Sequence, residues 1–176
     1  MSADAAREAI TRLSRVVADF PQQGITFRDL TPVFADGPAL RVLTDALVEP
    51  FAGRFDVIAG VEARGFVLAA SAAYATGHGV VMIRKPGKLP RPVLTEHYDL
   101  EYGSATLQVH EDELPKGTRV LLLDDVLATG GTLAASCSLI ERAGWVVAGI
   151  GVVLQLLELG GAQKLVGRDI HCLENV

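Results

Sequence analysis

The chain has 176 residues, 49% apolar and 21% charged, the balance of a globular protein of about one domain. A formal net charge of −5 and a pI near 5.3 exclude a broad surface for nucleic acid or an anionic membrane, so a phosphate site here must be a local pocket. The two cysteines, Cys137 and Cys172, lack zinc-ligand spacing and imply no disulfide framework. Residues 1–4 carry no basic flank or apolar run, and no stretch of about 20 apolar residues occurs, so neither a signal peptide nor a membrane span is expected. The expected location is the cytoplasm.

In chain order, Ile10, Leu13, Val17 and Phe20 recur at helical spacing and predict an amphipathic opening helix that Pro21 stops. Residues 22–32 read as irregular. A second helix follows Gly37-Pro38, with Leu40, Leu43, Leu47 and Phe51 on one face. Residues 55–61, 80–83, 120–123 and 146–154 are short apolar runs, the last loosened by Gly149 and Gly151. Such runs suit strands buried on both faces of a parallel sheet. Helical segments at 64–76 and 130–143 separate several of them, which predicts a doubly wound α/β sheet in one domain over residues 1–176. Residues 85–113 break the alternation with Gly87, Pro90, Pro92 and several charges. Within them, residues 104–110 alternate apolar and polar like one hairpin arm, which suggests a functional flap.

Ligands of open α/β sheets collect at the carboxyl ends of the strands. There, Leu121-Leu122-Leu123 runs into Asp124-Asp125 and then Ala128-Thr129-Gly130-Gly131-Thr132 before a helix. Two adjacent carboxylates suit the vicinal hydroxyls of a ribose, since each accepts more than one hydrogen bond. The small residues let backbone N–H groups converge on a phosphate, helped by the helix N-terminus and the hydroxyls of Thr129 and Thr132. A plain strand–turn–helix would not need two acids after a buried run, because charges there require a partner. Gly87-Lys88 is followed by Leu89, so no nucleotide P-loop is present, and Gly149-x-Gly151 is followed at the third position by Leu154, so the dinucleotide fingerprint fails.

The segment Asp124-Asp125-Val126-Leu127-Ala128-Thr129-Gly130-Gly131-Thr132 resembles the phosphoribosyl pyrophosphate motif of the type I phosphoribosyltransferases. Phe20-Pro21, Gly24-Ile25 and Phe27-Arg28-Asp29-Leu30-Thr31-Pro32 resemble the N-terminal signature of that family's adenine-specific branch. Val61-Glu62-Ala63-Arg64-Gly65-Phe66 resembles its pyrophosphate loop. Ile83-Arg84-Lys85-Pro86-Gly87-Lys88-Leu89-Pro90 and Tyr98-Asp99-Leu100-Glu101-Tyr102-Gly103 resemble its flap. The resemblance implies the type I phosphoribosyltransferase fold: a mainly parallel central sheet flanked by helices, a hood within residues 1–35 and a flexible flap at 85–113.

It also implies transfer of a 5-phosphoribosyl group from phosphoribosyl pyrophosphate to adenine in purine salvage, with Mg²⁺ held through substrate and water and no direct protein ligand. Asp124 and Asp125 would then organise the ribose, and Ala128, Thr129, Gly130, Gly131 and Thr132 the 5-phosphate. Glu62, Ala63, Arg64, Arg84, Lys85 and Lys88 would meet the pyrophosphate, with Arg64 also catalytic. Relatives often have Ser where Ala63 stands and carry a cis peptide in this loop. Glu101 is implied as general acid/base and Tyr102 as a flap residue. Phe27 would stack on the base, Thr26 and Arg28 would read its edge through the backbone, and Leu156 would cover its other face. Gln155 stands where many relatives have glutamate. A homodimer is implied. A regulator that senses the donor and binds nucleic acid would need a basic face or an added module, and hypoxanthine, guanine or xanthine are the competing acceptors.

Overall fold

A computed structural model describes residues 3–20, 23–24, 26–99 and 103–176. The chain opens with α1 (Ala3–Leu13), the paired strands β1 (Arg15–Val17) and β2 (Phe27–Asp29), and helices α2 (Thr31–Ala35) and α3 (Gly37–Val48). There follow β3 (Val57–Val61), α4 (Arg64–Thr76), β4 (Gly79–Ile83), the antiparallel pair β5 (Val93–Asp99) and β6 (Ser104–His110), and β7 (Arg119–Leu127). The chain closes with α5 (Gly131–Arg142), β8 (Val146–Gln155) and β9 (Ile170–Asn175).

Five strands form one parallel sheet in the order β4-β3-β7-β8-β9. Side chains of β7 alternate between two cores, as strand geometry dictates. Leu121 and Leu123 join Leu43, Leu47, Phe51 and Leu68 on the α1, α3 and α4 side. Val120 and Leu122 join Leu133, Ile140 and Trp145 under α5, with Leu107 and Val109 of β6. Each such fully buried leucine contributes about 2 kcal/mol through apolar burial. This two-faced burial is why the central strands read as unbroken apolar runs.

Four expectations need correction. The opening helix ends at Leu13, burying Ala6, Ala9 and Ile10, and Arg7 Nε docks it to the Leu173 carbonyl at 2.7 Å. Val17 is instead in β1, paired with Phe27, and Phe20 is half exposed. The β-branched pair Val16-Val17 favours extended backbone, and pairing with β2 outweighs a helical continuation. Residues 27–29, read as irregular, form that partner strand. Strand β7 does not stop at the acids but runs through them to Leu127. Strand β4 lies at the sheet edge, so Val80 and Met82 are exposed while Val81 and Ile83 are buried.

The β7–β8 register shifts beside Gly149, where Val120 pairs with Val147 and Leu121 with Gly149, and both glycines of β8 also admit packing. A Cβ at Gly149 would lie 2.1 Å from the Phe51 ring, and one at Gly151 would lie 2.6 Å from the Leu123 side chain.

Candidate active site

Crossovers leave β3 toward β4 and β7 toward β8, so the strand order reverses between β3 and β7 and opens a crevice at their carboxyl ends. The paired register Gly60↔Leu123 brings Glu62, Ala63 and Arg64 beside Asp124 and Asp125. A cis peptide joins Glu62 to Ala63, and Arg64 is the first residue of α4. Helix α4 starts hard against β7: a Cβ at Gly65 would meet the Leu123 carbonyl oxygen at 2.8 Å and Asp124 Oδ1 at 3.1 Å.

Both acids are buried, and the Asp125 amide donates to Asp124 Oδ1 at 2.9 Å. Arg64 Nε lies 2.5 Å from Asp125 Oδ2. Burial, and then the charge of Asp125 beside it, hold the Asp124 carboxyl well above its ordinary value. Such a pair has strong demand for donors or positive charge arriving from outside.

Beyond the acids, Ala128, Thr129, Gly130 and Thr132 line a cavity of about 50 Å³ at the start of α5. Gly130 adopts a left-handed conformation (φ +78°) and Gly131 begins the helix. The free N–H groups of that first turn point toward the cavity end of the helix, where an anion is favoured. Tyr98 of β5 reaches the same place, its hydroxyl 3.2 Å from Thr132 Oγ1. The β5–β6 pair is also held to α5 by Arg142, which donates to the Thr95 carbonyl at 2.8 Å and Glu96 Oε2 at 2.5 Å. An Arg84↔Gln108 bridge holds it to the end of β4.

The basic cluster divides. Arg84 is half-buried, its Nε 3.3 Å from Glu62 Oε2 and its guanidinium 5.7 Å above the Phe66 ring. The Lys85 amide donates to the same Glu62 oxygen at 3.0 Å. Glu62 thus organises the segment after β4, while the Lys85 and Lys88 side chains are exposed.

Phe27 is half-buried between Phe20 (ring centroids 5.1 Å apart, edge-on) and the Arg64 guanidinium, 5.4 Å from its centroid. Thr26 is exposed. Arg28 turns its side chain away toward Ser14 and Glu174. Leu156, half-buried after β8, donates its amide to the Leu127 carbonyl at 2.9 Å, so the segment after β8 is tied to the end of β7. Glu101 and Tyr102 lie outside the described residues, as do Pro21, Gln22, Ile25 and Leu100.

Sequence reasoning missed two contributors. Gly161 backs the small-residue loop: a Cβ there would sit 2.0 Å from the Ala128 carbonyl oxygen, and one at Gly130 would sit 2.2 Å from the Gly161 carbonyl oxygen. The Gly160-Gly161 pair was visible as a turn signal, but no local pattern tells which backbone it abuts. Glu174, an ordinary-looking acid near the C-terminus, holds Arg28. The cysteines are packing residues: burial pushes both thiols up to about 11, so neither supplies a thiolate at neutral pH. Trp145 is buried with its Nε1 donating to the Leu114 carbonyl, and His97 is exposed.

The crevice therefore joins a buried acid pair, the start of a helix, the guanidinium groups of Arg64 and Arg84, and the Phe27 ring beside Arg64. A family model described as the phosphoribosyl transferase domain matches residues 39–171. A protein of Renibacterium salmoninarum called adenine phosphoribosyltransferase is 67% identical over 166 residues, covering 94% of this chain and 91% of that protein. One of the same description from Clavibacter michiganensis is 59% identical, covering 96% and 95%. The crystal structure of adenine phosphoribosyltransferase from Thermoanaerobacter pseudethanolicus superposes with a TM-score of 0.92 at 45% identity, covering 96% of this chain and 99% of that one. The Saccharomyces cerevisiae enzyme, complexed with an imino-altritol bisphosphate and adenine, gives 0.91 at 33% identity, covering 98% and 100%.

Proposed function

The chain belongs to the phosphoribosyltransferase family, among its adenine phosphoribosyltransferases, and from that premise we propose how its strand ends divide the reaction between donor and acceptor. The reaction transfers the 5-phosphoribosyl group of 5-phospho-α-D-ribose 1-diphosphate to N9 of adenine, giving AMP and pyrophosphate, a step of purine salvage.

The C1–O bond breaks through a positively charged, oxocarbenium-like sugar, so the protein must hold both ends of the donor and offset charge on the leaving group. Asp124 and Asp125 accept from the ribose hydroxyls. Ala128, Thr129, Gly130, Gly131 and Thr132 enclose the 5-phosphate. Arg64, Arg84, Lys85 and Lys88, with the Glu62-Ala63 backbone, receive the pyrophosphate. Arg64, paired with Asp125 here, is placed to exchange that carboxylate for the incoming polyanion.

The raised Asp124 carboxyl beside Asp125 fits a site that also receives a cation. Asp124 and Asp125 would be the residues to meet Mg²⁺ carried in with the donor, which would supply charge neutralisation there. Glu101 takes the proton that adenine loses at N9, relayed through N7, and Tyr102 contributes to closing the flap. Phe27 stacks on the base, the backbone of Thr26 and Arg28 pairs with its amino edge, and Leu156 covers the other face. Adenine and hypoxanthine present reversed donors and acceptors at this edge, so a site that pairs one leaves buried groups unpaired with the other.

The observation that carries this reading is the buried Asp124–Asp125 pair set between Arg64 and the start of α5. Incubation with donor, Mg²⁺ and each purine in turn is expected to yield AMP from adenine and no nucleotide from hypoxanthine, guanine or xanthine. Chelation of the metal is expected to stop turnover. No product with any base would replace this reading with a donor-sensing regulator.

The site operates in a cytoplasmic homodimer. The edge strand β4 exposes Val80 and Met82, and α4 exposes Val67 and the nearly bare Tyr74, an apolar row next to unpaired strand edge that a second copy would cover. Sedimentation is expected to give twice the 18.6 kDa chain mass for the wild type. Val80→Asp with Tyr74→Asp is expected to give the single-chain mass, and a dimer surviving both changes would place the interface elsewhere.

A further inference from the structure

We infer that Glu174 is a positioning residue for the acceptor base, acting through Arg28; this rests on the reading of residues 26–28 as the segment that contacts adenine. Arg28 lies in the middle of β2, yet its side chain is not offered to a ligand. Nε donates to Ser14 Oγ at 3.0 Å and Nη1 to Glu174 Oε1 at 2.6 Å. Both side chains are about four-fifths buried, at 21% and 20% exposure. A short, shielded, charge-assisted bond of this kind fixes geometry far better than a surface ion pair does.

The segment needs such a fixture. Strand β2 has three residues and its partner β1 has three, all exposed along β1. A two-stranded ribbon of that length has no stability of its own. Buried Leu30 anchors the end of the segment in the core. The ion pair then sets how far the backbone of residues 26–28 stands from the sheet.

Glu174 sits where that distance matters. It pairs with Leu154 in the β8–β9 register, and Gln155 pairs with Asn175. Leu156 follows directly, and the Leu157 amide donates to the Val176 carbonyl at 2.8 Å. The same two strand ends therefore carry Glu174 and Leu156. One ion pair ties the Phe27 wall of the base slot to the Leu156 wall, across an interval of 146 residues in sequence. Glu174 Oε2 is buried and has no hydrogen-bond partner among the described residues, so the arginine is the chief compensation for a shielded charge.

The test is steady-state kinetics of Glu174→Gln, Glu174→Ala, Arg28→Ala and the double variant Arg28→Ala/Glu174→Ala. Glu174→Ala is expected to raise KM for adenine about tenfold while KM for the donor and kcat stay within about threefold, the scale of one hydrogen-bonded charge. Glu174→Gln, isosteric and still an acceptor, is expected to fall between wild type and Ala, and it keeps the test open if the Ala variant folds poorly. The double variant is expected to match Arg28→Ala, because coupled residues are not additive. An unchanged adenine KM in both Glu174 variants, or equal changes in both substrates' KM, overturns the proposal. A lowered melting temperature with unaltered adenine KM also overturns it, reducing the pair to a structural tie. Wild-type protein that makes no AMP would instead defeat the underlying functional reading.

Discussion

Gly161→Ala is expected to lower kcat/KM for the phosphoribosyl donor by about a hundredfold, because the added methyl has nowhere to go. It would sit 2.0 Å from the Ala128 carbonyl oxygen and 2.7 Å from the Gly130 amide nitrogen, against backbone that cannot rotate aside. Relief requires the loop of residues 128–130 to retreat by about 1 Å, and a displacement of that size at a positioning element costs about 10²-fold. Gly160→Ala is the control. Its φ is +61° and its Cβ would meet only the Gln163 side chain, at 3.5 Å or more. It is expected to cost about 1 kcal/mol of stability from the left-handed backbone, with donor kinetics near wild type. Donor saturation curves and melting temperatures for the two variants separate these effects. Unaltered donor kinetics in Gly161→Ala would mean that this loop does not hold the 5-phosphate.

Asp124→Asn is expected to stabilise the protein while lowering turnover by about a hundredfold, the scale of losing one preorganised electrostatic contact. The carboxyl is buried beside Asp125, and both circumstances raise its affinity for a proton from the ordinary value of 3.8. Asn keeps an oxygen able to accept from the Asp125 amide and removes the like-charge repulsion. A gain of about 1 kcal/mol corresponds to about 2–4 °C in Tm for a chain of this size.

The pH dependence has a definite sign. The unfolded chain releases this proton near 3.8 and the folded chain only at higher pH. The folded state thus binds more protons between those values, and wild-type stability falls as pH rises through them. The advantage of Asp124→Asn should open from about pH 4 upward and close below it. Thermal melts of both proteins across that range check this, and an Asn variant that melts below wild type at neutral pH would refute the electrostatic account.

A more stable Asp124→Asn variant would mark Asp124 as a residue kept for function rather than for stability. A fold that needed only to be stable would place apolar residues where β7 passes between two cores, as it does at residues 120–123.

Much of this was legible before the structure. The apolar runs located β3, β4, β7 and β8, the segment 64–76 matched α4 to the residue, and the alternation of residues 104–110 identified β6. The acid pair and the small-residue turn were legible as one unit at the end of β7, because these residues are contiguous in the chain. Helical spacing failed at Val17, where three cross-strand pairs between residues 15–17 and 27–29 outweighed local periodicity, and at Phe20, which lies beyond that strand. For the glycines of β8, nothing in the sequence signalled their close approach to Phe51 and Leu123, which lie far from them in the chain.

What the amino-acid sequence determined by itself was therefore the identity of each local chemical unit: the paired acids, the small-residue turn after them, the arginine after β3 and the segment around Phe27. The tertiary structure alone decided which units meet. The strand order put Arg64 on Asp125, brought Gly161 against Gly130 and closed Arg28 onto Glu174. Those contacts depend on how crossovers order the sheet and how closely backbones approach, and neither leaves a periodic or contiguous trace in the chain.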